Sequence, residues 1–86
     1  MQLPTTLLIT DVRNFASSLR EAIAQGDVQC DTSGLTDIDT AGLQLLYAAR
    51  QAATAAGRQF HWQGDCSALK AAARMTGLSE ALGLAA

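Results

Sequence analysis

Asp31-Thr32-Ser33-Gly34-Leu35-Thr36-Asp37-Ile38-Asp39-Thr40-Ala41-Gly42-Leu43-Gln44-Leu45-Leu46 is the stretch that decides how this chain folds. Just before it, Val28-Gln29-Cys30-Asp31 alternates apolar and polar residues, the period of a half-buried strand. Thr32-Ser33-Gly34 breaks that strand, and Leu35 and Ile38 bracket Thr36-Asp37 as an apolar pair across a loop. Asp39-Thr40 then supplies a helix cap, because a short side-chain oxygen can accept from the unpaired N–H groups of a first turn. The helix is expected from about Thr40 to Ala56, with Gly57 as its stop. Gly42, Leu45, Leu46, Ala49, Ala52, Ala53 and Ala56 form one apolar face. Gln44, Gln51 and Thr54 lie opposite, and Leu43, Tyr47 and Arg50 share a stripe nearer the polar side.

Working outward toward the N-terminus, Leu7-Leu8-Ile9-Thr10 reads as a short apolar strand. Residues 2–6 are a candidate partner strand, which Pro4 would confine to an edge. Asp11 offers a cap for a second amphipathic helix, with Val12, Phe15, Leu19 and Ile23 at helical spacing and Gly26 placed to end it. Toward the C-terminus, Phe60-His61-Trp62-Gln63 is a third strand signal closed by Gly64-Asp65. Asp65 or Ser67 can cap a third helix, whose inner stripe is Leu69, Ala72, Ala73 and Thr76 and whose stop is Gly77. Leu78, Leu82 and Leu84 close the chain. Alternating strands and helices require parallel pairing with crossover helices. The expected class is α/β: a small, mostly parallel (mixed) sheet of about four strands covered by three to four helices, in one domain spanning residues 1–86.

Composition bounds the function. The 86 residues are 49% hydrophobic but only 5% aromatic, so Leu, Ile, Val and Ala must build the core. A net charge of −2 and no basic cluster argue against nucleic acid, which needs a positive patch to displace phosphate counterions. The opening Met1-Gln2-Leu3-Pro4-Thr5-Thr6 has no positive segment followed by an apolar run, and no stretch reaches the length of a membrane span, so the expected compartment is the cytosol. Cys30, in the alternating strand, reads as a small buried hydrophobe. Cys66 and His61 add two ligand types without metal-site spacing, so neither a metal nor a cofactor is expected.

Catalysis is not expected either. Ser33, His61 and Asp65 are the residue types of a triad, yet no serine sits in a nucleophile-elbow pattern. His61 alternates with Phe60 and Trp62 and reads as a partly exposed strand residue. Asp37 and Asp39 are explained by turn formation and capping. Gly34 and Gly42 are isolated, with no phosphate-loop or dinucleotide pattern around them.

The residues that remain carry a resemblance. Asp31, then Asp39-Thr40-Ala41-Gly42-Leu43, then Leu45-Leu46, followed by Ala56-Gly57-Arg58 and Thr76-Gly77-Leu78, resemble the STAS domain family, the sulfate-transporter and anti-sigma-antagonist domain. The resemblance covers about residue 7 to the end. It implies the STAS fold and a protein-binding role without catalysis. Anti-anti-sigma members of the family are phosphorylated by a partner kinase at the hydroxyl residue that Thr40 matches, and they bind the anti-sigma factor when unmodified. Other stand-alone members bind ATPase subunits of phospholipid-transport ABC systems or accompany bacterial chemotaxis and signalling genes. The Asp39–Leu46 run and the Leu82-Gly83-Leu84 ending look most similar to the short chemotaxis-associated members. The resemblance thus implies a phosphorylation switch at Thr40 and a protein partner: an anti-sigma-type kinase, a signalling or chemotaxis protein, or an ABC ATPase. The expected partner surface is Asp39, Thr40, Ala41, Leu43, Gln44, Tyr47 and Arg50, with Leu43 and Tyr47 as exposed docking side chains. The Ala-rich helix is also compatible with a homodimer.

Overall fold

A computed structural model describes residues 1–84. In chain order the elements are β1 (Thr6–Leu7), α1 (Val12–Gln25), β2 (Val28–Asp31), β3 (Asp37–Ile38), α2 (Thr40–Ala55), β4 (Phe60–Gln63) and α3 (Ser67–Thr76). This is an α/β fold, and every strand pairing among the described residues is parallel. β1 pairs with β3 in the register Thr6 to Asp37 and Leu7 to Ile38. β2 pairs with β4 from Val28–Phe60 to Asp31–Gln63.

The N-terminal segment joins the two pairs. Gln2 bridges Asp31, through Leu3 N–H to Asp31 O at 2.9 Å and Asp31 N–H to Met1 O at 2.8 Å. Three residues after Gln2 the same segment has crossed to β3, where Thr36 N–H donates to Thr5 O at 2.8 Å. Pro4 lies at the crossing, where its missing N–H leaves no ladder bond unmade. Residues 2–6 are therefore not an edge partner of a following strand; they run between β2 and β3.

The first strand lies earlier than the apolar run Leu7–Thr10 implies. Leu8, Ile9 and Thr10 form a turn, and Ile9 is 69% exposed. Local polar groups take the backbone away from a ladder there. Leu8 N–H donates to Asp11 Oδ2 at 3.0 Å, and Asp11 N–H donates to Leu8 O at 2.7 Å. β3 is the strand that sequence patterning misses, because two residues are too few to show a period. Ile38 is half-buried and packs against the core beside the buried Leu35.

Leu3, Leu7, Leu19, Val28, Cys30, Leu43, Leu46, Leu69 and Leu82 are among the core residues, each nearly inaccessible. α2 packs against both α1 and α3. Its buried side is Gly42, Leu43, Leu46, Ala49 and Ala53, whereas Ala52 and Ala56 are exposed and Leu45 is half-buried. The helix is thus turned relative to the face read from its alanines. The large Leu43 and Leu46 side chains bury more apolar area than alanines at 52 and 56 would, which favours this rotation. α2 ends in a Schellman turn: Gly57 has φ +75, Arg58 N–H reaches back to Ala53 O at 2.8 Å, and Gly57 N–H reaches Thr54 O at 3.0 Å.

α3 is capped by neither Asp65 nor Ser67. Cys66 is the N-cap, its Sγ accepting from Leu69 N–H at 3.4 Å and donating to Leu35 O at 3.3 Å. Asp65 instead pairs with Lys70 Nζ at 2.6 Å, an exposed ion pair of small energetic weight. Thr76 is exposed, its hydroxyl turned back to Ala72 O at 2.9 Å, so the inner stripe of α3 is Leu69, Ala72 and Ala73. Trp62 Nε1–H donates to Leu82 O at 2.8 Å and Arg50 Nη1–H to Ala81 O at 2.8 Å, which fasten the C-terminal turn to β4 and α2.

Candidate functional site

The turn from β3 into α2 is built around one carboxylate. Asp39 has extended backbone (φ −110, ψ −176), as an N-cap requires. Its Oδ1 accepts from Gly42 N–H at 3.0 Å, and its Oδ2 accepts from Ile9 N–H at 2.9 Å. One side chain therefore caps α2 and also holds the β1–α1 turn beside it. The Gly42 and Ile9 donors keep the Asp39 carboxyl below its ordinary range, Gly42 having the larger effect.

Gly42 is required here by close approach. A Cβ at this position would overlap the Leu7 carbonyl oxygen and lie 2.8 Å from Ile38 Cγ1 and 3.1 Å from Leu7 Cγ. The first turn of α2 thus rests directly on β1 and β3. That contact turns Thr40 outward. Thr40 is exposed at the start of α2, where the partial positive charge of the helix end lies. The hydroxyls of Thr36, Thr54 and Thr76 donate to backbone carbonyls. Among the described residues the Thr40 hydroxyl has no such partner.

The remaining residues expected at a partner surface divide. Ala41 is half-buried and Gln44 exposed, both on the first two turns of α2 with Thr40. Tyr47 is half-buried against the core, and its hydroxyl accepts from Gln51 Nε2–H at 2.7 Å. Leu43 is a correction: at 1% exposure it is a core residue and offers nothing to a partner. It faces inward because Gly42 seats the helix so low that positions 42, 43 and 46 all meet the strands. Arg50 is half-buried and its guanidinium holds the Ala81 carbonyl, so it braces the C-terminal turn.

Ile9 was missed. Nothing in the apolar run distinguishes it from Leu7, yet it stands exposed beside the Asp39 carboxylate. The signal that could have found it is the Thr10-Asp11 pair, which favours a turn over a continuing strand.

The residue types of a triad do not converge. Ser33 donates both its N–H and its hydroxyl to Asp31 Oδ1, at 3.0 and 2.7 Å, which holds the Asp31 carboxyl below its ordinary range. His61 is exposed on β4 opposite Gln29, and Asp65 is held by Lys70. Burial pushes the Cys30 thiol up to about 11, which leaves it protonated and inert near neutrality. Among the described residues no three His, Cys, Asp or Glu side chains gather as a metal site would require.

The family model described as Mlab, STAS domain matches residues 1–84. The chain belongs to the STAS domain family. STAS domains are generally non-enzymatic binding modules that work through protein–protein contact, as anti-sigma-antagonist-like or accessory modules. No protein of curated function matches the sequence. No helix among the described residues is long and apolar enough to cross a membrane.

Proposed function

We propose that this STAS domain is a signalling module whose protein partner docks at the start of α2 and is released by phosphorylation of Thr40. The observation that carries the reading is the exposed, unengaged Thr40 hydroxyl at a helix N-terminus fixed by Asp39. The docking surface is Ile9, Thr40, Ala41 and Gln44, with the half-buried Tyr47 at its margin. The exposed Ile9 beside the small Thr40 and Ala41 gives a partner apolar area to bury, and the Asp39 carboxylate next to it is already held by two backbone N–H groups. A phosphoryl group on Thr40 adds about −1.5 to −2 charges there. The helix end and its N–H groups tolerate that charge, so the fold persists. A partner covering Ile9 and Gln44 would have to bury it next to Asp37 and Asp39, and binding would fail.

The expected partner is an anti-sigma-type kinase or a chemotaxis or signalling protein of the cytoplasm. The test is affinity capture with wild type, Thr40→Ala and Thr40→Glu, read by mass spectrometry. A protein retained by the first two and lost with Thr40→Glu supports the switch, and phosphopeptide mapping of Thr40 completes it. The same proteins retained by all three would refute regulation at this residue.

A second reading rests on the resemblance, in which threonine at the position that Thr40 matches recurs among ABC-associated members. The domain would then be a constitutive accessory subunit on the ATPase of a phospholipid-transport ABC system, using the same surface without modification. Capture of an ATPase by all three proteins selects this reading.

A further inference from the structure

Among the described residues the outer edge of β4 is unpaired, and its pattern fits a second copy of itself. β4 pairs only with β2 among the described residues. Val28 N–H donates to Gln59 O at 2.8 Å and Thr32 N–H to Gln63 O at 2.9 Å. These two bonds fix the phase of the parallel ladder. Gln59, His61 and Gln63 turn their backbone groups toward β2, so Phe60 and Trp62 turn theirs to the open side. Four backbone groups, an N–H and a C=O on each of Phe60 and Trp62, therefore line a free edge. Proteins commonly guard such edges with lysine, proline or a bulge. Phe60-His61-Trp62-Gln63 has none of the first two, and its ladder with β2 is regular over all four residues.

We infer that this edge is a homodimer contact in which two β4 strands pair antiparallel about a two-fold axis at His61. Sheet geometry selects the register. In an antiparallel pair, residues that exchange two hydrogen bonds alternate with residues that exchange none. Centring on His61 places Phe60 against Trp62 of the other copy, twice, and satisfies all four free groups of each chain with four hydrogen bonds. Shifting the centre by one residue to Phe60 or Trp62 sets the other of those two residues against Arg58 or Gly64, outside the four-residue strand. Symmetry selects the direction. Both copies present Phe60 and Trp62, so parallel pairing about a two-fold axis would set N–H against N–H and C=O against C=O, whereas antiparallel pairing sets each N–H against a C=O. The exposed face contributes Gln59 against Gln63 of the other copy, two amides able to bond each other.

The contact is weak by construction. Four hydrogen bonds are fewer than the roughly ten of a standard interface, so the dimer is expected only toward the high end of protein concentration. The two His61 side chains face each other at the axis, in the close, non-hydrogen-bonded position. His61→Lys therefore sets two fixed like charges opposite one another without touching the core, since His61 is exposed.

Sedimentation equilibrium of the whole chain across micromolar to millimolar concentration is the test, with Ser17→Lys on α1 as a control of equal charge. The expected result is a monomer–dimer equilibrium for wild type and for the control, weakened roughly fivefold or more in His61→Lys. Hydrogen exchange of wild type adds a second readout: the Phe60 and Trp62 amides gain protection as concentration rises, and the His61 amide, already bonded to β2, does not. A wild type that stays monomeric throughout, a His61→Lys variant that dimerises as well as wild type, or protection at Phe60 and Trp62 that ignores concentration would each overturn the inference.

Discussion

Two turns in this molecule lead from a strand into a helix through an aspartate, and they behave differently. Asp39 caps α2 and ties down Ile9. Asp11 stands at the same place before α1, yet its backbone is already helical (φ −99, ψ −20) and its side chain caps nothing. Its carboxylate reaches backward, to Leu8 N–H and Thr6 Oγ1–H at 3.0 and 3.1 Å. The difference comes from what lies behind each residue. Asp39 follows β3 directly and inherits extended backbone, which points its side chain down the new helix. Asp11 follows a tight turn that needs its own internal bonds, and the carboxylate is used there. The same residue type thus builds a rigid platform at α2 and only a local turn at α1.

The platform depends most on Gly42. Gly42→Val would drive side-chain atoms into the Leu7 backbone oxygen, which cannot move without breaking β1 from β3. A loss of more than about 4 kcal/mol is expected, enough to unfold much of a domain this small. Thermal denaturation followed by circular dichroism measures it, and a variant melting within a few degrees of wild type would show the contact to be soft.

Leu43→Ala is next. Its side chain is wholly buried beside Leu46, and truncation leaves a cavity that costs about 3 kcal/mol. Urea titration should report that loss. A small loss of stability with a large loss of partner would instead restore Leu43 as a docking residue.

The two aspartates come third. Asp39→Ala should lower the melting temperature more than Asp11→Ala, because it releases two elements rather than one turn. The pH dependence sharpens this. The folded Asp39 carboxyl titrates below its unfolded value of 3.8, held down by the Gly42 and Ile9 donors. Its contribution is therefore complete above pH 3.8 and is lost as pH falls below that, through the folded value. Wild type should destabilise more steeply than Asp39→Ala in that acid window. Parallel curves for the two would remove the carboxylate's role.

How far these regions were legible in the sequence follows the same physics. α1, α2, α3 and β4 were readable because 10 to 16 residues of helical period, or four of strand alternation, are long enough to show a pattern. The Asp39 cap was readable from local chemistry alone. β1 and β3 were not, since each has two residues and is defined by its partner rather than by its own sequence. The rotation of α2 was hidden for a related reason. An alanine-rich helix is apolar on several sides, so which side is buried depends on where Gly42 seats it. That one uncertainty moved Leu43 from the surface to the core, while Ile9 came into the site through the Leu8–Asp11 turn.

Thr40 gives the smallest expected effect and the most useful one. Its hydroxyl bonds to nothing among the described residues, and it stands exposed one residue beyond the cap. Thr40→Ala should change stability by less than about 0.5 kcal/mol, as exposed positions without a structural role do. Thr40→Glu should fold as well, because a carboxylate at a helix N-terminus is favourable even beside Asp39. Matching urea midpoints for the three proteins would mean that any partner lost with Thr40→Glu is lost at the surface and not through unfolding. A destabilised Thr40→Ala would mean the hydroxyl helps to build the platform. Thr40 would then belong with Asp39, and its value as a free switch would disappear.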